Sequence, residues 1–325
     1  ESEEYPRNLM ELEAKYSNEQ DCRDYLFRLR WPKGFVCPRC SFQEFVRLGD
    51  LYRCKKCRHR VSVTSGTIFH RSHIPLPVWF RAIWWVASQK NGASALGLKR
   101  ILGLGSYETA WLMLHKLRRA MIRPGRDKLS GTIEFDETFI GGLEEGLRGR
   151  GAISKALVAV AAQGVDKKIG RIRLKRIPDA SAGSLESFIL ESADLGSTIV
   201  TDGWTGYNGV SGLGYKHKII NLTKRNKSAS ALLPRVHRVA SLLKRWLIGT
   251  HQGAVSCDHL DYYLDEFTFR FNRRTSQSRG KLFYRLIQQA GNPAMLNIGE
   301  SLKMSEGYPV ENTAGSGLVS QVDTP

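Results

Sequence analysis

The chain has 325 residues, 42% hydrophobic and 25% charged, a balance that excludes a wholly disordered polypeptide. Its formal net charge is +18, which calls for an anionic partner. No apolar run reaches the roughly 18 residues of a membrane span; the best stretch, 79–87, is broken by Arg81.

The charge is unevenly placed. Residues 1–24 carry 3 basic and 8 acidic side chains, 25–130 carry 21 and 4, and 131–325 carry 25 and 19. The start is acidic and Arg-interrupted, with no visible secretory leader. In the basic block Arg outnumbers Lys and aromatics interleave, among them Trp79, Phe80, Trp84, Trp85 and Trp111. Neutralising phosphates with such side chains releases counterions, so the expected partner is nucleic acid. An inert solvated basic face is the alternative.

Four of six cysteines form Cys37-Pro-Arg-Cys40 and Cys54-Lys-Lys-Cys57. Two such knuckles let four thiolates converge on one Zn²⁺. Short strands over 44–48 and 51–53, turning at Gly49-Asp50, complete a zinc ribbon. Two disulfides are the alternative, disfavoured because nothing suggests secretion. Cys22 and Cys257 read as plain thiols.

Helices are predicted over 75–89, 94–102 and 107–121, with Gly103-Leu-Gly105 between the last two and Ser106 as an N-cap. Helix, glycine turn and a helix ending in Lys116, Arg118 and Arg119 fit a helix-turn-helix that meets DNA; a plain helical hairpin is the alternative. From 131 the rhythm changes. Strands are predicted over 131–140, 156–164 and 170–177, a helix over 184–192, and strands over 197–201 and 218–221. Helices follow over 232–248, 259–271 and 281–290. This order is an α/β plan.

Asp136 interrupts an apolar strand between Glu134 and Glu137, and Asp202 closes the strand Ser-Thr-Ile-Val-Thr201. Buried carboxylates are costly unless a cation or donors compensate. On neighbouring strands the two would ligate one or two hard divalent ions, as phosphoryl transfer requires; a strand-edge Asp and a turn-forming Asp-Gly are the alternative. The helix over 232–248 offers no acid as a third ligand. It offers His237, with Lys244 on the same face to hold a phosphate, while Val236, Val239, Leu243 and Leu247 form its apolar stripe. A surface or phosphate-contacting histidine is the other reading of His237.

Several segments together, from about Asp21 to Ala290, resemble the insertion-sequence 1595 transposases. They are Leu29-Arg-Trp-Pro-Lys-Gly-Phe-Val-Cys-Pro-Arg-Cys40, Glu134-Phe-Asp-Glu-Thr-Phe-Ile-Gly-Gly142, Thr201-Asp-Gly-Trp-Thr-Gly-Tyr207, Leu243-Lys-Arg-Trp246, Gly249-Thr-His251 and Tyr263-Leu-Asp-Glu-Phe-Thr-Phe-Arg-Phe-Asn-Arg-Arg274. The resemblance implies an RNase H-like DDE-type domain with Asp136 and Asp202 as its first two catalytic acids. Many relatives carry Glu seven residues before the lysine matching Lys244, where this chain has His237.

The organisation expected is a helical lead-in over 1–33, a zinc ribbon over 34–63, a helix-turn-helix-like segment over 74–125, an RNase H-like α/β domain over 130–290 and a weakly ordered tail over 291–325. The activity expected is cleavage and strand transfer on duplex DNA with catalytic Mg²⁺ or Mn²⁺ and structural Zn²⁺. A homodimer in the prokaryotic cytoplasm, at the nucleoid, goes with it. A DNA-binding regulator that has lost catalysis, or a nuclease that cuts without joining, would share the same motifs.

Overall fold

The computed structural model describes residues 4–123, 125–141, 155–220, 229–251 and 255–293. Gly142 of the second motif, Asn221 at the end of the strand predicted over 218–221, and all but the first three residues of the predicted tail lie outside them.

Two helices open the chain, α1 (Leu9–Lys15) and α2 (Glu19–Arg30), each started by an asparagine whose side chain accepts a first-turn N–H: Asn8 from Glu11 and Asn18 from Asp21. The ribbon follows as antiparallel β1 (Phe45–Leu48), β2 (Leu51–Cys54) and β3 (Arg60–Ser62). The third strand is an addition to the sequence reading, since three residues are too few to show alternation.

Next come α3 (Leu76–Ser88), α4 (Ala95–Leu102) and α5 (Tyr107–Ala120). Gly103, at φ 63°, ends α4 in the left-handed conformation that glycine adopts without a Cβ clash. Ser94 and Ser106 cap the starts of α4 and α5. α3 buries Trp79, Phe80, Ile83 and Trp84 and is the hub of an aromatic core. The last described helix, α10 (Arg279–Ala290), returns to this core: the Phe283 ring lies 6.0 Å from Phe80 and 5.8 Å from Trp84.

The second half is a five-stranded mixed sheet. Its strands are β4 (Thr132–Ile140), β5 (Ala156–Val165), β6 (Lys168–Ile177), β7 (Thr198–Thr201) and β8 (Lys216–Ile219), ordered β6-β5-β4-β7-β8. The first three pair antiparallel; β7 and β8 continue from β4 in parallel. This mixed sheet is the RNase H-like α/β plan expected from the sequence. One face packs against α6 (Ala182–Ser192) through Ile133, Phe135, Leu185 and Phe188. The other packs Val158, Val160 and Leu174 against α8 (Pro234–His251) and α9 (Leu260–Asn272). A short helix, α7 (Ala229–Leu232), leads into α8. The predicted stripe of α8, Val236, Val239, Leu243 and Leu247, is buried. Among the described residues no helix is long and apolar enough to cross a membrane.

The halves are joined by a buried ion cluster. Arg118 Nε lies 2.8 Å from Glu266 Oε2, and Arg270 Nε lies 2.8 Å from Glu266 Oε1; Arg118 and Glu266 are 2% and 1% exposed. Arg270 also donates to the carbonyls of Val86 and Gln89 at the end of α3. This corrects the reading of α5 as a helix with basic residues turned to DNA. Arg118 is sealed inside, Arg119 pairs with Asp265 at 3.4 Å, and Lys116 is half-buried. The charges at the end of α5 tie it to α9.

Candidate active site and metal centre

In the ribbon, each knuckle folds back on itself. Ser41 N–H donates to the Cys37 carbonyl and Arg58 N–H to the Cys54 carbonyl, and Ser41 and Arg58 take φ of 59° and 58°. The two turns therefore repeat, four residues after the first cysteine of each pair. All four sulfurs lie within 4.8 Å of one another, with Cys37 to Cys57 and Cys40 to Cys54 each at 3.6 Å. A tetrahedron of sulfurs around Zn²⁺ at ~2.3 Å has an edge of ~3.8 Å, so the donor set fits zinc. Cys22 is fully buried and its thiol is pushed up to about 12 by that burial.

The acids stand at the end of the parallel pair β4 and β7. Glu134 pairs in register with Val200. Asp136 lies two residues further along β4, on the face that packs against α8, and Asp202 lies two residues past Val200, just beyond the end of β7, close enough for its charge to act on Asp136 and His237. Alternation sends Ile133 and Phe135 to the α6 face. Asp202 Oδ1 accepts the Trp204 N–H at 3.0 Å, and the Trp204 indole donates to the Ala180 carbonyl at 2.9 Å, which pins the turn after β7. Asp136 Oδ1 accepts the Glu137 N–H at 2.9 Å. The buried Tyr207 hydroxyl donates to Glu137 Oε2 at 3.0 Å, and burial raises its pKa well above the usual phenol range.

α8 is set onto β4 by Glu134, which is 3% exposed. Its Oε2 accepts the N–H groups of Arg235 at 2.7 Å and Val236 at 3.1 Å, in the first turn, where a carboxylate is favoured by the helix dipole. His237, the next residue, then places Nε2 3.5 Å from Asp136 Oδ2. Burial lowers the His237 pKa, opposed by Glu134 and Asp202, so the ring is neutral at pH 7 and able to ligate a metal. Burial first, then the charges of Glu137, Asp202 and Glu134, push Asp136 up to about 7. Lys244, two turns along α8, is exposed; burial of its stem and the charge of Lys155 lower its pKa.

The structure thus brings Asp136 and His237 together and sets Asp202 in the turn just after the adjacent strand β7. It does not draw all three into one cluster: among the described residues, only the four cysteines form a group of three or more donors within 4.8 Å. Burial and the neighbouring carboxylates together oppose the charge of Asp136, and a divalent cation would favour it. Sequence reasoning missed Glu134 as the anchor of α8. Its position two residues before Asp136, on the same face of the strand, was the available signal.

Residues 128–272 match the family described as ISXO2-like transposase domain, and residues 17–60 match the transposase zinc-ribbon domain. A protein of Halobacterium salinarum, described as an uncharacterized protein in transposable element ISH50, is 25% identical over 275 residues, covering 78% of this chain and 91% of its own. A chain from a simian T-cell lymphotropic virus intasome structure in complex with a PP2A regulatory subunit is 14% identical. It covers 59% of this chain and 70% of its own, with a TM-score of 0.32.

Proposed function

The chain belongs to the insertion-sequence 1595 transposases, with their zinc ribbon ahead of their ISXO2-like domain, and from that premise we propose that it cuts and joins duplex DNA by metal-dependent phosphoryl transfer. The observation that carries this is the meeting of Asp136 on β4 with His237 of α8 at 3.5 Å, with Asp202 just beyond the end of the parallel neighbour β7. Asp136, Asp202 and His237 are the residues that would hold catalytic Mg²⁺ or Mn²⁺. When bound, such an ion supplies charge neutralisation at the phosphate and a water of lowered pKa.

The chain's own side chains do the rest. The charged carboxylate of Asp136, which burial and then the acids around it oppose, is the form that a cation held there would favour. Glu134 fixes the first turn of α8 so that His237 meets the carboxylates. Lys244 holds a phosphate of the substrate strand. Tyr207 keeps Glu137 turned toward its hydroxyl. Water attack would free a 3′-OH at the element's end, and that hydroxyl would then attack target DNA; in-line displacement needs positioning rather than a covalent enzyme intermediate. Two ends handled together call for a homodimer working at the nucleoid.

The test is a cleavage and strand-transfer assay on duplex DNA carrying the element's ends, with Mg²⁺ or Mn²⁺. Wild-type cleavage and joining, both lost in Asp136→Asn, is the expected result. Because His237 replaces an acid and the three donors are not drawn together, the regulator reading remains the competitor. DNA binding without cleavage under either ion would establish it, and cleavage without joining would establish a nuclease.

A further inference from the structure

Away from the acids, the molecule carries two adjoining basic cavities. The first, of about 950 Å³, is walled by the end of α2, the segment after α5, β6, the end of α9 and α10; eight basic residues and one acid, Asp127, line it. The second, of about 730 Å³, lies between the end of α3, α8, α9 and the start of α10, with six basic residues and no acid in its lining. They share Phe269, Arg273 and Leu282.

The guanidinium groups here crowd one another. Arg173 is 4% exposed, and burial together with the charges of Arg126, Arg171 and Arg273 lowers its pKa to about 9. Arg273 is lowered by burial, then by Arg285 and Arg123. Like charges gathered at a cleft wall cost stability unless an anion offsets them. Two guanidiniums are held flat on rings: Arg273 over Phe269 and Arg274 over Phe271, each 4.1 Å from the centroid. Stacking fixes the planar fork of Arg273 for phosphate oxygens, while the fork of Arg274 donates to the carbonyls of Ile169, Gly170 and Phe271 and contributes its charge.

We propose that the two cavities form one groove that binds the phosphate backbone of a DNA duplex, at a place separate from the acids of β4 and β7. The inference rests on the DNA-processing reading above. A single small anion would leave most of this charge unmatched, whereas a polyanion running along both cavities meets it. The groove holds a stretch of duplex other than the bond at the acids. Arg173 pairs with Ala161, and Ala161 with Phe135, so it lies on the α6 face of the sheet, opposite Asp136.

The experiment measures binding of the full chain to a duplex oligonucleotide by fluorescence anisotropy across a salt series. Arg279→Gln with Lys281→Gln removes two exposed groove charges; Lys216→Gln with Lys218→Gln removes two exposed charges from β8, at the opposite edge of the sheet. The log–log salt slope should become shallower by about 1.8 in the groove variant, about 0.9 for each phosphate no longer neutralised, and stay at the wild-type value in the β8 variant. Phenylglyoxal labelling of the wild-type chain should show Arg273 and Arg274 protected by duplex, which frees the test from any folding effect of substitution. Equal slopes in all three proteins, or an equal loss in the β8 variant, overturn the groove while leaving the cleavage reading intact. Binding of poly-glutamate in preference to DNA, lost in the groove variant, overturns the choice of occupant. A wild-type chain that neither binds nor cuts duplex removes the underlying reading as well.

Discussion

Glu134 holds Arg235 twice, its Oε2 accepting the main-chain N–H at 2.7 Å and its Oε1 accepting the guanidinium at 2.8 Å. Arg235 also reaches the Asp166 carbonyl in the turn between β5 and β6, at 3.0 Å. One carboxylate therefore joins the central strand, the start of α8 and a turn of the sheet. Everything α8 brings to the acids depends on that joint.

Glu134→Gln should loosen the joint without removing any group that would hold the metal or the phosphate. A neutral amide accepts less strongly from two main-chain N–H groups, so stability should fall by about 1–3 kcal/mol. Cleavage should slow because His237 loses its placement. Urea unfolding and single-turnover cleavage report the two effects; a variant as stable and as fast as wild type would mean that α8 is held by its apolar stripe alone.

Asp136→Asn and Asp202→Asn should each abolish cleavage while leaving duplex affinity within about twofold of wild type, because the bulk of DNA affinity comes from phosphate contacts elsewhere. His237→Ala should cost as much as either aspartate if the imidazole ligates the ion, and His237→Glu should then retain Mg²⁺-dependent activity. Full cleavage by His237→Ala would remove His237 from the site.

The proton on Asp136 makes a signed prediction. Its folded pKa, about 7, is above the roughly 3.9 of an unfolded aspartate, so the unfolded chain loses this proton first. The contribution to stability is full below about pH 4 and is lost as pH rises through about 7. Asp136→Asn removes that loss: its stability relative to the metal-free wild type should grow between pH 4 and 7, on the order of a few kcal/mol, then level off. Mg²⁺ should shrink the gap, and its affinity for wild type should rise with pH over the same window. A pH-independent gap in chemical denaturation would place the proton elsewhere.

Purified protein should carry one zinc per chain. A structural zinc contributes on the order of 10 kcal/mol to its module, so chelation or Cys54→Ser should melt the ribbon and spare the five-stranded sheet. Metal analysis and amide exchange over 34–63 check this; a ribbon equally protected with and without zinc would show that the aromatic packing of Phe27, Phe35, Phe45 and Tyr52 suffices.

Removing Glu266 should be among the most damaging single changes. Glu266→Ala strands Arg118 and Arg270 without their shared carboxylate, and breaking a buried pair costs about 3–5 kcal/mol. Thermal unfolding should show it; a loss below about 1 kcal/mol would mean that water replaces the carboxylate.

Periodicity made the elements legible in sequence wherever a face had to be buried. The alternation of β4 and the stripe of α8 place the strand and the helix within a few residues of 132–140 and 234–251. Residue pairs far apart in the chain were not legible. Arg118 reads as a basic residue on a DNA-facing helix until Glu266, 148 residues later, is seen beside it. Glu134 reads as a companion of Asp136 until its two N–H partners, more than a hundred residues away, are known. Likewise, the pattern of 281–290 announces a helix but does not say which core it joins.

That last destination orders events on the ribosome. The partners Phe80 and Phe283 emerge roughly two hundred residues apart, so at 5–20 residues per second α3 waits about 10–40 s for α10. Through that interval Phe80 has Tyr16 and Tyr25 of the earlier helices to pack on, but the side of α3 that Phe283 covers stays open, while the sheet is free to form behind it. A message cut short before α10 would release a chain whose first half never closes, and proteolysis would remove it before it met a partner.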